Sequence, residues 1–411
     1  LKTLPKLKII NDPIYGFITI PSVLVFQLME HKYFQRLRRI SQMGFSYIVY
    51  PGAHHTRLHH ALGAMFLMQK AVQVLRSKKV PISSKEEEGL YIAILLHDLG
   101  HGPFSHAMEH SIVEGVSHEG ISLLFMQALN HQFKGQLSTA IEIFKNEYPR
   151  KFLHQLVSGQ LDMDRLDYLK RDSFYTGVSE GTVNSQRLIA MLNVKNDALV
   201  VEEKGIYSVE NFIIARRLMY WQVYLHKTGV VAEQLVVRVL KRAKQLFAAG
   251  VELPASPALL FFLKNDIKLN DFSEKVLEIF SKLDDNDIIS AMKYWEINDD
   301  FVLSKLCKML LNRDLLKIKI KSKPFSEKKV EEKRIEVAEL YRISEEEAAY
   351  FVFSGKLENQ AYSMQKDTIN LVRKNGKIVD VAKASDQLNI EALSKSVIKY
   401  YMCYPKNNTD C

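Results

Sequence analysis

Through most of the first 310 residues, apolar positions return every three or four residues, the spacing of a helix with one buried face. That pattern predicts helices over Ser22–Met43, His60–Ser77, Lys85–Leu96, Glu119–Leu129 and Val209–Phe247. Pro81, Pro103, Pro149 and Pro254 fall between helical runs, where a residue without an amide N–H cannot continue the ladder. A hairpin is predicted at Asn193–Glu203, with Asn196-Asp197 turning between two β-branched runs. Beyond about Leu311 the period shortens. Leu315–Lys321 alternates as a half-exposed strand does, Ala349–Phe353 and Thr368–Val381 read as extended, and the latter turns at Asn375-Gly376. Val397–Cys403 is a last strand, followed by a polar, frayed tail from Tyr404 to Cys411. There is no internal repeat. The predicted fold is mainly α: a helical body over residues 1–310 and a smaller α+β domain over 311–411.

Composition narrows the class. Of 411 residues, 47% are hydrophobic and 25% charged, enough to bury a core without disulfide or metal staples. No apolar run reaches the ~18 residues of a membrane span. Leu1–Ile10 alternates lysine with apolar residues and is not read as a signal peptide. Cys307, Cys403 and Cys411 are far apart, and none belongs to a CxxC pair. They point to a reducing cytoplasm and exclude a thiolate zinc site. A net charge of +9 suits phosphate-bearing partners, nucleotides or nucleic acid. Much of it sits in Lys317–Arg334, which a solvated face would explain equally well.

The histidines change this picture. Nine of the 13 lie between His54 and His118, and imidazole is both the commonest metal ligand and the usual proton carrier near neutral pH. In Leu95–His106, the His97-Asp98 pair closes an apolar run, offering one nitrogen and one carboxylate oxygen from neighbouring positions. His101 follows one turn later, Gly100 and Gly102 permit close backbone approach, and Pro103 redirects the chain before His106. A lone His-Asp dipeptide would be a hydrogen-bonded core pair, but three histidines and an aspartate in so short a stretch favour a metal site. Two further ligands would come from elsewhere, with Pro51–Gly63 upstream and Asp162–Asp172 downstream as the sources, the latter dense in carboxylates beside arginines. That second segment equally fits a surface ion-pair network.

Taken together, His60, His97-Asp98 and Asp164 stand in the H…HD…D order of the HD-domain metal-dependent phosphohydrolases, which this sequence resembles. Within them it is most similar to the deoxynucleoside triphosphate triphosphohydrolases, the bacterial dGTPases and the mammalian SAM-and-HD-domain enzyme. Phe34–Arg38, Tyr50–Ala53, His97–His106 and Asp162–Asp172 match best, within a likeness running from Asn11 to Gln234. The resemblance implies that His60, His97, Asp98 and Asp164 hold one divalent metal per subunit; the donor types suit Mn, Fe, Ni, Zn or Mg. It implies attack of a metal-activated water on the α-phosphate, releasing deoxynucleoside and inorganic triphosphate. His101, Glu109 and His118 would form an acid–base group, with His106 facing the leaving 5′-oxygen; Glu109 stands where the mammalian enzyme has aspartate.

Arg57 and Arg165 would meet the triphosphate, with Lys227, Arg216 and Arg217 as looser candidates. Tyr168 and Tyr224 would flank the sugar, and Gln42 and Asp172 would bond its 3′-hydroxyl. Tyr224 under the 2′-carbon would exclude ribose, although Tyr220–Lys227 also reads as an aromatic core stripe. The same resemblance implies a homo-oligomer and a nucleotide effector bound near Asn11, Gln35, Arg36 and Arg38, with Glu30 replacing an aspartate. His54, His55, His59, His110 and His131 match nothing and are read mostly as surface or satisfied side chains. Two alternatives stand beside this reading. One is hydrolysis of another phosphoester, such as a nucleoside monophosphate, ppGpp or a cyclic nucleotide. The other, a nucleic-acid-binding regulator, leaves the complete ligand set without a purpose.

Overall fold

The computed structural model describes residues 8–104, 111, 113, 115–365, 367–386 and 393–406. The chain opens with a hairpin absent from the sequence expectations, β1 (Ile9–Asp12) against β2 (Gly16–Thr19). Asp12 makes its turn: Oδ1 accepts from the amides of Ile14 (2.9 Å) and Tyr15 (3.0 Å), and Gly16 takes a φ of 73°. The helix expected over Ser22–Met43 is instead three pieces. Helix α1 (Val23–Glu30) stops where His31 turns extended, and the His31 ring then accepts from the Tyr33 amide to start a short helix, Lys32–Gln35. A tight 3₁₀ turn, Arg36–Arg39, follows.

Three helices make the centre. Helix α2 (Arg57–Ser77) packs against both α3 (Ser84–Leu96) and a later helix described below. In α3 every residue from Gly89 to Leu96 is buried, so it reads as apolar all round rather than on one face. Its first turn is closed by a capping box, Ser83 with Glu86. Helix α4 (His118–Gln132) lies over the chain that leaves α3. Helix α5 (Met163–Thr176) is the second neighbour of α2, capped by Asp162 at one end and by left-handed Gly177 at the other.

The continuous helix expected over Val209–Phe247 is likewise broken. Helix α6 (Ile206–Met219) runs into one wide π turn, Tyr220–Tyr224, and the His226 ring caps a fresh helix, α7 (Lys227–Ala248). The hairpin at residues 193–203 forms as β3 (Leu192–Lys195) and β4 (Ala198–Glu202), with Asn196 and Asp197 both at positive φ.

Past residue 310, β5 (Lys317–Lys321), β6 (Phe353–Asn359) and β9 (Val397–Tyr404) make an antiparallel sheet in the order β5-β9-β6. Ala349–Val352, expected to be extended, is instead the turn that ends a short helix, and the strand begins at Phe353. The second hairpin, β7 (Asn370–Val372) and β8 (Ile378–Asp380), does not stay within its own half. β7 pairs parallel with β4, so one four-stranded sheet spans both sides of residue 310. Tyr404, expected in the frayed tail, completes β9, and residues 407–411 lie outside the described part.

Candidate metal centre and active site

The first turn of α2 supplies His60. Its Nδ1 donates to Asp167 Oδ2 (2.8 Å), which leaves Nε2 as the open nitrogen. His97, just past the end of α3, does the same with a carbonyl: Nδ1 donates to Ile94 O at 2.6 Å. The two Nε2 atoms therefore face each other 3.3 Å apart, and Asp164 Oδ1, from the first turn of α5, lies 3.1 Å and 3.5 Å from them. These three form a group able to hold a metal ion among the described residues. Asp98, the fourth expected ligand, borders it. Its Oδ1 is 3.3 Å from His97 Nε2, while Oδ2 accepts from Arg57 at 2.5 Å.

The electrostatics suit a cation. Burial disfavours a charged His60, yet its hydrogen bonds to Asp164 and Asp167 outweigh burial and raise it to about 10. His97 is also raised, burial being outweighed by the Asp98 and Asp164 carboxylates. Desolvation works against an ionised Asp164 too, but the two imidazoles hold it below the usual carboxylate range. A carboxylate field that retains protons on imidazoles will retain a divalent ion in their place. With both open nitrogens aimed at one point beside carboxylate oxygens, and no thiolate, the donor set fits such an ion.

The chain beyond His97 is fixed by close approach. A side chain at Gly100 would meet the His118 carbonyl at 2.0 Å, so only glycine lets α4 sit there. Ser122 of α4 bridges the turn, accepting from the Gly100 amide (2.8 Å) and donating to the His97 carbonyl (2.6 Å). His101 follows, its ring stacked on His118 at 3.9 Å. Burial and neighbouring Arg57 hold His101 well below the ordinary imidazole range, so it is neutral near pH 7. His106 and Glu109, the other expected members of this group, lie outside the described residues.

Next to the metal group is a cavity of about 490 Å³, large enough for a small organic ligand. Gln42, Arg57, Tyr168, Asp172 and Tyr224, five of the six expected substrate residues, line it together with Phe45, Phe104 and Tyr220. Arg165, the sixth, is not in the lining but borders it: it pairs with Asp162 at the start of its own helix and feels the charges of Tyr168, Asp164 and Tyr220. The π turn puts Tyr224 in the lining rather than in a core stripe: its hydroxyl donates to Asp172 Oδ2 at 2.7 Å. Burial raises the Tyr168 and Tyr224 phenols well above their ordinary range, so both stay protonated.

The expected effector residues do not share one environment. Asn11 and Arg38 are exposed, and Arg38 Nε donates to Gln35 Oε1 at 2.7 Å. Arg36 is a correction. It is fully buried, and its guanidinium donates to the carbonyls of Leu283, Leu99 and His101 at 2.7, 3.0 and 2.6 Å. It braces the turn after His97 from beneath and presents nothing to a ligand at the surface.

Among the unassigned histidines, His54 and His131 are exposed, and His59 accepts from the Thr56 amide at the start of α2. His110 lies outside the described residues. His55 is a satisfied one, and its partner lines the cavity: it is buried, stacks on Tyr175 at 4.4 Å and bonds Asp172 Oδ1 at 2.6 Å. Asp167, which orients His60, was also missed. Its position three residues after Asp164, on the same helix face, was the available signal.

Comparison with known proteins points to one family. Residues 57–172 match the HD domain and residues 183–252 an HD associated region. The crystal structure of a phosphohydrolase from Bacteroides thetaiotaomicron superposes with a TM-score of 0.94 at 53% identity, covering 98% of this chain and all of that one. The uncharacterized protein YwfO of Bacillus subtilis is 30% identical over 97% of this chain and 92% of its own length. A deoxynucleoside triphosphate triphosphohydrolase SAMHD1 homolog of Dictyostelium discoideum is 30% identical over 60% of this chain and 51% of itself. No described helix is long and apolar enough to cross a membrane. A helical body, a His-Asp centre and these likenesses together place the chain in the HD-domain phosphohydrolase family.

Proposed function

We propose that the chain hydrolyses deoxynucleoside triphosphates, dGTP among them, to deoxynucleoside and inorganic triphosphate. The observation that carries this reading is the cavity beside His60, His97 and Asp164, whose lining gathers Gln42, Arg57, Tyr168, Asp172 and Tyr224. The Dictyostelium relative, named for this reaction, supports it. His60, His97 and Asp164, with Asp98 at their edge, would hold one divalent ion, Mn, Fe, Ni, Zn or Mg. When bound, such an ion supplies a Lewis acid for a phosphoryl oxygen and acidifies a water.

The chain's own groups do the rest. Arg57 reaches both Asp98 and the cavity, so its guanidinium can pass between that carboxylate and a phosphate oxygen. Neutral His101, braced through its carbonyl by Arg36 and stacked on His118, is in the form that can accept a proton. His55 and Tyr224 each occupy one oxygen of Asp172, fixing the carboxylate's direction and leaving lone pairs to accept from a sugar hydroxyl. The bulk of Tyr224 excludes a 2′-hydroxyl.

We extend the reading to a cytoplasmic homo-oligomer, with residues 1–310 as catalytic body and 311–411 as an α+β domain, and with a nucleotide effector near Asn11, Gln35 and Arg38. The test is ion-exchange analysis of products from the four deoxynucleotides, singly and mixed, with Mn and Mg compared. Inorganic triphosphate supports the proposal. Orthophosphate, or turnover confined to a monophosphate, ppGpp or a cyclic nucleotide, replaces it with the alternative phosphoester reading.

A further inference from the structure

The side of His60 away from the proposed metal site leads, through buried charges, to the first hairpin of the chain. Asp167 Oδ2 accepts the hydrogen bond from His60 Nδ1 and also accepts from Arg171 Nε at 2.9 Å; Arg171 Nη2 donates to Asp167 Oδ1 at 3.0 Å. The third prong of that guanidinium, Nη1, donates to Asp12 Oδ2 at 2.9 Å. Asp12 is the turn residue whose other oxygen gathers the Ile14 and Tyr15 amides. All four side chains are at most 5% exposed. Room for them is built in: a side chain at Gly63 of α2 would meet Asp167 Oδ1 at 2.1 Å and Arg171 Nη2 at 2.2 Å.

We propose that Asp12 and Arg171 are positioning residues for His60, so that the N-terminal hairpin sets the affinity of the metal centre. This rests on the reading of His60, His97 and Asp164 as metal ligands, but not on the identity of the substrate. The physical reason is that Asp167 alone could rotate about its side-chain torsions and carry the imidazole with it. Arg171 grips both oxygens of Asp167 in a planar fork and so fixes the carboxylate plane. The fork is in turn held in place by Asp12, whose own orientation is set by two backbone amides rather than by a flexible side chain. Groups that orient a metal-bound imidazole from behind typically change metal affinity 10–100-fold when altered.

The test is Mn²⁺ binding to the metal-free, full-length protein by calorimetry, with no nucleotide present. Asp12→Asn keeps an oxygen for the turn amides but sets its NH₂ against the Arg171 donors, and is expected to weaken Mn²⁺ roughly tenfold or more. Arg171→Lys keeps the charge without the fork and is expected to weaken binding too; it serves if Asp12→Asn does not fold. Glu86→Gln, which loosens the distant start of α3, is the control for general destabilisation and should leave the Mn²⁺ affinity unchanged. Wild-type affinity in a folded Asp12→Asn or Arg171→Lys protein overturns the proposal, as does an equal loss in Glu86→Gln. A wild-type protein that binds no Mn²⁺ overturns the metal-site reading and this inference with it.

Discussion

Helices α3 and α5 both bring ligand side chains to the same point, yet they are buried by opposite means. α3 is surrounded by apolar contacts from Gly89 to Leu96, and its ligand, His97, follows the last helical residue. α5 carries Asp164, Asp167, Arg171 and Asp172, and of these only Asp164 keeps appreciable exposure; Asp167 and Arg171 have none. Apolar packing is non-directional, so the side chains of α3 supply a rigid floor, and His97 is aimed by one backbone carbonyl, that of Ile94. Paired charges are directional, so α5 aims Asp164, Asp167 and Asp172 at defined partners, at the cost of desolvating them. The difference teaches where each helix is fragile: α3 to volume, α5 to any single lost partner.

The largest expected effect removes a ligand altogether. His97→Ala should lose bound Mn²⁺ and hydrolysis together while circular dichroism shows an intact fold, because the helical body is held by an extensive apolar core. Full activity with stoichiometric metal would sink the ligand assignment. Next comes the comparison itself, read by urea unfolding. Asp167→Asn strands half of a buried charge network and should cost about 3–5 kcal/mol, whereas Leu95→Met in α3 should cost less than about 1.5 kcal/mol. Equal losses would erase the contrast.

A smaller effect sharpens the role of Asp172 and its partner. Tyr224→Ala should lower the dGTP-to-GTP ratio of kcat/KM roughly tenfold, with the fold checked by circular dichroism; an unchanged ratio returns Tyr224 to packing. The smallest lies at the start of α3. Burial works against an ionised Glu86, but the Ser83 amide and hydroxyl and Arg150 outweigh it and hold the carboxyl below its usual 4.5. Its contribution is therefore full above pH about 4.5 and disappears as pH falls through the lowered value. Glu86→Gln should cost about 1 kcal/mol near neutral pH and nothing in strong acid, as followed by denaturant unfolding across pH.

The same contrast explains what the sequence made legible. His97-Asp98 stood out because a polar pair ended an unbroken apolar run, and His60 and Asp164 because each began a helix at a family position. Asp167 and Arg171 did not, since an aspartate and arginine four apart look alike whether they line solvent or a core. The helix breaks at His31 and His226 were hidden because imidazole is an uncommon N-cap, whereas Ser83 and Asp162 announce theirs. The parallel pairing of Val200 with Asn370 has no local signature at all. His55 was passed over for a related reason: its partner, Asp172, lies on another helix far along the chain.

Arg36 has a consequence for synthesis. Its three carbonyl partners come from residues 99, 101 and 283, so the brace under the His-Asp turn is complete only after the Leu283 segment, some 180 residues beyond the turn, has been made. Until Leu283 emerges, that cation is short of one acceptor in a place where it cannot be left dry. The centre is thus not a preformed module on which later segments are hung. Its final geometry is a late event, and a ribosome stalled before the Leu283 segment would carry a helical but unfinished site.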